Sequence, residues 1–478
     1  MQNVSDSSST HILEREIQNV SGSSPTHILE REDEIVSLES STHVVHGSNG
    51  RRSGVELLWH TIQWGLVFAC SGLLLGYSFT IPVGVLAMDN FMYIFFPKIF
   101  YKLTHAREDN FCSYGNQWLS LSLSVQYLAA MAMLPIAPMA HQRLSRRWII
   151  FSPTLVLFMG VVISVLLPNT FALFCGRILM GFGAGVLYQV IPMNIFEIES
   201  VPLKKNMGLV NQFGIMAGNL LGCVVNYYTS QYPDWDWMGS FGSIAIFNVP
   251  LLVLSLFLAD GSFIFRKERN QHTRYKEIFQ CLSGRKLIQA LAAQGLPHAV
   301  GMDTLSSYMP VMLEGIGVSS QESYLAAMIL AGVSMLCSIV ASVLRRTCGG
   351  RGRLLFSIML SFIILLQLSI LVAVLVILNK FRIPNPTGAG VLAAFMLLLA
   401  AGSAIITAPE GCLAVDFSEE SNTIGTIISN FTSFFFYVVV THVFFLMLCS
   451  WRALVFIFFF FLTTIVGVIF WYFQDWHM

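Results

Sequence analysis

Apolar positions in this chain fall in long unbroken runs, not in alternation. Twelve runs are predicted as helices, over residues 62–86, 116–140, 147–168, 171–193, 207–229, 238–260, 287–313, 323–344, 354–379, 387–409, 424–448 and 452–473. Each is close to the roughly 20 residues that a helix needs to cross about 30 Å of hydrocarbon. A transmembrane β-barrel would show alternating apolar and polar positions, and is excluded. The longest internal polar stretch, Arg266–Lys286, leaves six runs on either side. The pattern therefore predicts an all-α membrane protein with twelve transmembrane helices, six on either side, a count that suggests two six-helix bundles at 59–260 and 287–478. A linker at 261–286 joins the bundles, and a long loop at 88–115 follows the first helix.

Residues 1–58 are of another kind, rich in Ser, Thr, Glu and His. Gln2–Glu16 (QNVSDSSSTHILERE) recurs as Gln18–Glu32 (QNVSGSSPTHILERE). With so few large apolar residues this segment cannot offset its ordering entropy, so a disordered tail is expected. No apolar stretch of signal-peptide type follows the start. Basic residues set the orientation. With both ends cytosolic, the inner loops and tail junction hold eighteen Lys and Arg, the outer loops six, and Arg15, Arg31 and Arg177 complete the 27. Asn3 and Asn19 match the glycosylation pattern N-x-S but fall on the cytosolic side, where they read as chance matches. The 88–115 loop then faces outward and the 261–286 linker inward.

Composition narrows the function. Charged residues are 11% of the 478 and hydrophobic residues 55%, against about 25% charged in soluble domains. Lys+Arg and Asp+Glu are both 27, so no net charge points to nucleic acid. The nine cysteines include no CxxC pair and no His/Cys cluster at metal spacing, so neither a zinc site nor another cofactor is implied. No nucleophile–base pair supports an enzyme.

Within Gly176–Tyr228, GRILMGFGAG is followed by Gln189, Pro192, Glu197, Asn211-Gln212 and Asn226-Tyr227. Gly76-Tyr77, Met88-Asp89 and Phe111-Cys112 lie earlier. Gly301, Tyr308, Pro310 and Met447-Leu448-Cys449 lie later. In these residues the chain resembles the plant monosaccharide/proton symporters of the sugar porter group, within the major facilitator superfamily. The likeness covers roughly residues 60–450 and is that of a divergent member. It implies two bundles rocking around a midplane site, an outer lid at 88–115, and a plasma-membrane location with cytosolic termini.

The resemblance also implies residue roles. Arg177, inside a span, matches an arginine that neighbours a proton-carrying aspartate on the first helix. That aspartate is here Ser78, and a hydroxyl does not titrate near neutral pH. A guanidinium within a span costs at least about 2.5 kcal/mol on insertion scales, so Arg177 should face the bundle interior and have a partner. Glu197 is one option, but about 30 Å separate the two along a straight helix, which favours a structural, cytosol-facing Glu197. Gln212 matches a sugar-bonding glutamine and either lines the cavity or bridges helices. The family's Gln-Gln pair and asparagine in the seventh span fall on Pro297-His298 and Asp303, and its asparagine of the eighth span and tryptophan of the tenth are absent. His298 and Asp303 are thus either substrate-binding, as intramembrane ionisable groups often are, or packing residues. The loop between spans two and three keeps Arg146 and Arg147 but not the family's acid and glycine, which should weaken closure on the inner side. Cys112 and Cys449 match cysteines that the family bridges, so a disulfide between lid and C-terminal bundle is implied.

Two functions follow. One is hexose transport by alternating access, proton-coupled by resemblance but with the usual proton site replaced. The other is a transport-incompetent relative acting as a sensor or regulatory partner. The partners implied are a sugar, the lipid bilayer and, under the coupled reading, protons.

Overall fold

In the computed structural model, residues 54–105, 117–198, 201–258 except 234, 309–315, 319–348 and 422–451 are described, together with 461, 464, 465 and 468. The unit from Leu58 onward carries the packing considered below.

The helices of the first bundle are α1 (Gly54–Gly84), α2 (Asp89–Phe95), α3 (Pro97–His105), α4 (Gln117–Met133), α5 (Ala137–Arg143), α6 (Arg146–Leu166), α7 (Thr170–Phe196), α8 (Val201–Thr229) and α9 (Asp236–Leu256). From the second bundle come α10 (Met309–Gly315), α11 (Ser320–Cys348) and α12 (Asn422–Trp451). Among the described residues six helices are long and apolar enough to span a membrane, or seven when α4 and α5 count as one. Their outward faces carry Leu66, Met159, Ile246 and Val253, exposed in the isolated chain. That arrangement fits a hydrocarbon solvent, in which helix association comes from close packing. The fold is the all-α, two-bundle arrangement that the runs predict.

Two details depart from the expected spans. α1 begins at Gly54, inside the segment read as tail, because Val55–Trp59 continues the apolar helix without a breaker. The second span is not straight: it bends by 47° between its two helices. The sequence there is Leu134-Pro135-Ile136-Ala137-Pro138, and a proline that lacks an N–H and crowds the preceding turn breaks the helical ladder.

Packing follows the small residues of α7, which lies against α6 and α4. A Cβ on Gly176 would meet Ser164 Oγ at 2.1 Å and one on Gly183 the Pro153 carbonyl at 2.4 Å, both on α6. On the other face Gly181 and Gly185 meet α4, at Gln126 O (2.3 Å) and Ala130 O (2.4 Å). The glycines expected along one helix thus serve two neighbours. α1 and α8 meet similarly, at Gly218 against Leu73 O (2.1 Å). The two bundles touch where α12 packs on α4 and α7, where α11 packs on α8, and where α10 meets the 3-10 turn Val85–Ala87.

Candidate functional site

Arg177 is fully buried on α7. Its Nη1 donates to the Ser122 carbonyl on α4 at 2.5 Å, its Nη2 to the Pro82 carbonyl on α1 at 3.3 Å, and its guanidinium carbon lies 5.7 Å from the Phe241 ring centre. Pro82 also frees a second carbonyl of α1: lacking an N–H, it leaves the carbonyl of Ser78, four residues earlier, out of the helical ladder. That carbonyl accepts from Gln126 Nε2 at 3.0 Å, while the Ser78 hydroxyl donates to Leu75 O of its own helix at 3.1 Å. Main-chain carbonyls, strong acceptors for a cation, thus seat the arginine where the resemblance implies a carboxylate.

Glu197 caps the far end of α7 and accepts from Arg146 Nη2 at 2.7 Å. Its other oxygen is 3.7 Å from His141 Nδ1, and His141 Nε2 pairs with Asn194 Oδ1 at 3.1 Å. Glu197 is therefore the acid that Arg146 uses, and the acid missing from the loop is supplied by α7. This corrects the expectation that the loop arginine lost its partner.

The seam between the bundles holds polar and aromatic side chains. Gln189, fully buried, donates to Thr426 Oγ1 at 3.0 Å and accepts from Asn430 Nδ2 at 2.9 Å, which ties α7 to α12. Deeper in, Tyr127 on α4 stacks on Tyr437 of α12 with ring centres 3.9 Å apart, and on Phe79 of α1 at 4.6 Å. Phe434 completes the cluster against Tyr188 at 5.0 Å. At the C-terminal end of α1, the Tyr324 hydroxyl of α11 donates to Gly84 O at 2.7 Å. Glu314, near the end of α10, has its carboxyl pushed up to about 7 by burial, a hydrogen bond from Ser320 opposing and the negative charge of Asp89 adding to the rise.

Of the residues singled out in the sequence, Arg177 and Ser78 are brought to the same α1–α4–α7 junction, bridged by α4 through Ser122 and Gln126. Gln212 is half-buried on α8, beside the buried Asn211. His298, Asp303 and Cys112, and the Cys449 side chain, lie outside the described residues. Gln126, Tyr127, Asn430, Tyr437 and Tyr324 were not singled out. Their only signal was a polar or aromatic residue in an apolar run, and many such residues simply pack.

Comparison with known proteins shows what this chain is similar to. A family model described as "Sugar (and other) transporter" matches residues 64–286. Sugar transport protein 8 of Arabidopsis thaliana is 28% identical over 344 residues, which cover 64% of this chain and 67% of the relative. Sugar transport protein 6 of Arabidopsis thaliana is 28% identical over 328 residues (61% and 64%). Sugar transport protein MST4 of Oryza sativa subsp. japonica is 28% identical over 309 residues (58% and 60%). The match therefore spans about two thirds or less of these relatives. Among solved structures, that of a D-xylose-proton symporter superposes with a TM-score of 0.69 at 17% identity, covering 87% of this chain and 98% of the other. The xylose transporter XylE from E. coli, in a partially occluded inward-open conformation, gives 0.66 at 16% identity over 86% and 97%. At that identity the two structures speak for the fold alone, and the family model and the plant relatives say what the chain is similar to. The chain is similar to the sugar transport proteins of plants, and its fold is that of the solved xylose symporters.

Proposed function

We propose that this protein carries a monosaccharide across a membrane by alternating access, the two bundles rocking around a site between them. The observation that carries this reading is the seam itself. Side-chain amides, hydroxyls and ring faces meet there between α4, α7 and α12, in a chain with no lipid-facing reason to bury them. Hydroxyl-rich ligands are held by this kind of chemistry, amides for the hydroxyls and rings for the C–H face. Gln212, His298 and Asp303 are proposed to contact the sugar. The plasma membrane is the proposed location, with both termini cytosolic and a disulfide joining Cys112 to Cys449.

Proton coupling is proposed to be weak. Arg177 keeps its charge at all accessible pH values, and Ser78, in the place of the titrating acid, turns its hydroxyl to Leu75 O. This same feature favours the second reading, a sensor or regulatory partner that binds sugar without moving it. Proteoliposomes incubated with a labelled hexose panel, with and without a proton gradient, test both. Uptake that changes little with the gradient supports the first reading. Binding without uptake supports the second, and neither binding nor uptake refutes both.

A further inference from the structure

Where α5 and α7 end and α6 begins, three helices meet around Glu197, and hydrogen bonds fix which atoms face it. Asn194 is fully buried, and its Nδ2 donates to Val190 O at 3.1 Å. A carbonyl only accepts, so the amide is oriented, and its Oδ1 faces His141 Nε2 at 3.1 Å. That contact requires a proton on Nε2. The other ring nitrogen, Nδ1, lies 3.7 Å from Glu197 Oε1. A neutral ring with its proton on Nε2 turns a bare lone pair toward that carboxylate, and a second proton on Nδ1 turns the same contact into an ion pair.

The charges around the ring decide whether the second proton is held. On α7, which packs against α5, the charged residues are Glu197 at its end and Arg177, about 30 Å away along the helix. On α6 they are Arg146 and Arg147. Arg146 Nη2 holds the other oxygen of Glu197, Oε2, at 2.7 Å, and the Arg147 guanidinium lies over the Trp148 ring at 5.6 Å. Arg143, on α5 itself, is exposed, where water and salt screen it. α4 carries no charged residue. Burial of His141 and the charge of Arg146 oppose a positive ring. The carboxylate beside Nδ1 and the partial negative charge at the C-terminal end of α7 favour it. The Glu197 side chain is 29% exposed, so solvent reaches the pair and can deliver the proton.

We propose that His141 and Glu197 form a proton-binding site at this end of the first bundle, and that a proton on Nδ1 fastens α5 to α7 beside the Arg146–Glu197 pair. The effect reaches the seam between the bundles through α7. Gln189, which bonds Thr426 and Asn430 of α12, precedes Glu197 by about two turns, or about 12 Å. The protonated site therefore steadies the joined arrangement of the seam, and acidity at this face slows its opening. Such a proton differs from a coupling proton at the Ser78 position: it sets the rate of the cycle and is not carried with the sugar. The effect on uptake rests on the transport reading, and the titration of the site does not.

The full-length protein in lipid nanodiscs is followed by deuterium exchange at the imidazole C2 carbon, read by mass spectrometry on the peptide that carries His141 between pH 5 and pH 9. The rate should show one inflection between pH 5 and pH 8, and Glu197→Gln should weaken proton binding at least about tenfold. A natural protein with no inflection in that range overturns the proposal without recourse to any variant, and an inflection that Glu197→Gln leaves in place overturns the pairing. Stability is a second measurement. A proton held more tightly by the folded protein stabilises it at low pH, and that gain is lost as pH rises. The thermal midpoint of the natural protein should therefore fall further between pH 6 and pH 8 than that of His141→Gln, whose amide can still donate to Asn194; Glu314 is common to both proteins and cancels. Equal slopes overturn the proposal. In oriented proteoliposomes, lowering the pH from 7.5 to 6 at the face that bears Glu197 should slow hexose uptake at least about twofold in the natural protein and not in His141→Gln. Titration without any uptake refutes transport and leaves the proton site standing. Uptake without titration refutes the site and leaves transport standing, and uptake that ignores this pH while His141 titrates overturns the link to the seam.

Discussion

Replacing Gly181 by alanine puts one methyl group into the contact between α7 and α4. That carbon would lie 2.3 Å from the Gln126 carbonyl oxygen and 2.7 Å from Ala129 Cβ. Ordinary separations are about 3.3–3.6 Å for a carbon against a carbonyl oxygen and about 3.5–4.0 Å for two carbons. The helices must therefore part by about 1 Å at this level. A gap of that size forfeits about a quarter to a half of each dispersion contact along the seam, and overpacking of this kind costs about 1–3 kcal/mol. The displacement also reaches the arginine. Gln126 is the residue that holds the Ser78 carbonyl, and Ser122, one turn earlier, holds Arg177. Unfolding in mixed detergent micelles, followed by circular dichroism, should show the loss, and uptake should fall with it. Gly208→Ala is the control: nothing lies within 4 Å of its added carbon, so the better helix former should be neutral or gain about 0.5–1 kcal/mol. Equal stabilities for the two variants would refute the claim that close backbone approach, and not helix propensity, explains the glycines of α7.

Ser78→Asp should raise the proton dependence of uptake between pH 5.5 and 7.5, because a carboxylate beside Arg177 can release and rebind a proton as the helices rearrange. Strong dependence in the natural protein that survives Asp303→Asn would contradict the weak coupling proposed here. Non-reducing peptide mapping should recover Cys112 linked to Cys449, and finding both as free thiols in protein from the cell surface would reject the bridge. Glu314 gives a pH effect of defined sign. Its carboxyl moves from the ordinary 4.5 to about 7 in the folded protein, so the folded state binds more protons than the unfolded state across that window. Stability should fall as pH rises from about 4.5 to 7 and then level off. A thermal midpoint that drops between pH 5 and pH 8 in the natural protein, and drops less in Glu314→Gln, is the expected result; identical slopes would show that Glu314 is not the group involved.

Sequence alone determined the solvent and the element list. Runs of 20 or so apolar residues have only one comfortable environment, and in lipid every backbone group must be satisfied within its own segment, which makes the runs helices. It also marked Arg177 as buried with a partner, since an intramembrane guanidinium has no other economical place. The partners themselves were decided by tertiary structure. Arg177 bonds the Ser122 and Pro82 carbonyls, and no spacing in the sequence identifies a main-chain acceptor on another helix. Arg146 and Glu197 lie 51 residues apart in the chain, Gln189 and Asn430 lie 241 apart, and each pair meets only once helices have chosen faces. The glycines of α7 show the same division. Their spacing announced close packing, but which glycine faces α6 and which faces α4 depends on the rotation of the helix between two neighbours. Sequence periodicity in a helix that is apolar all round does not encode that rotation.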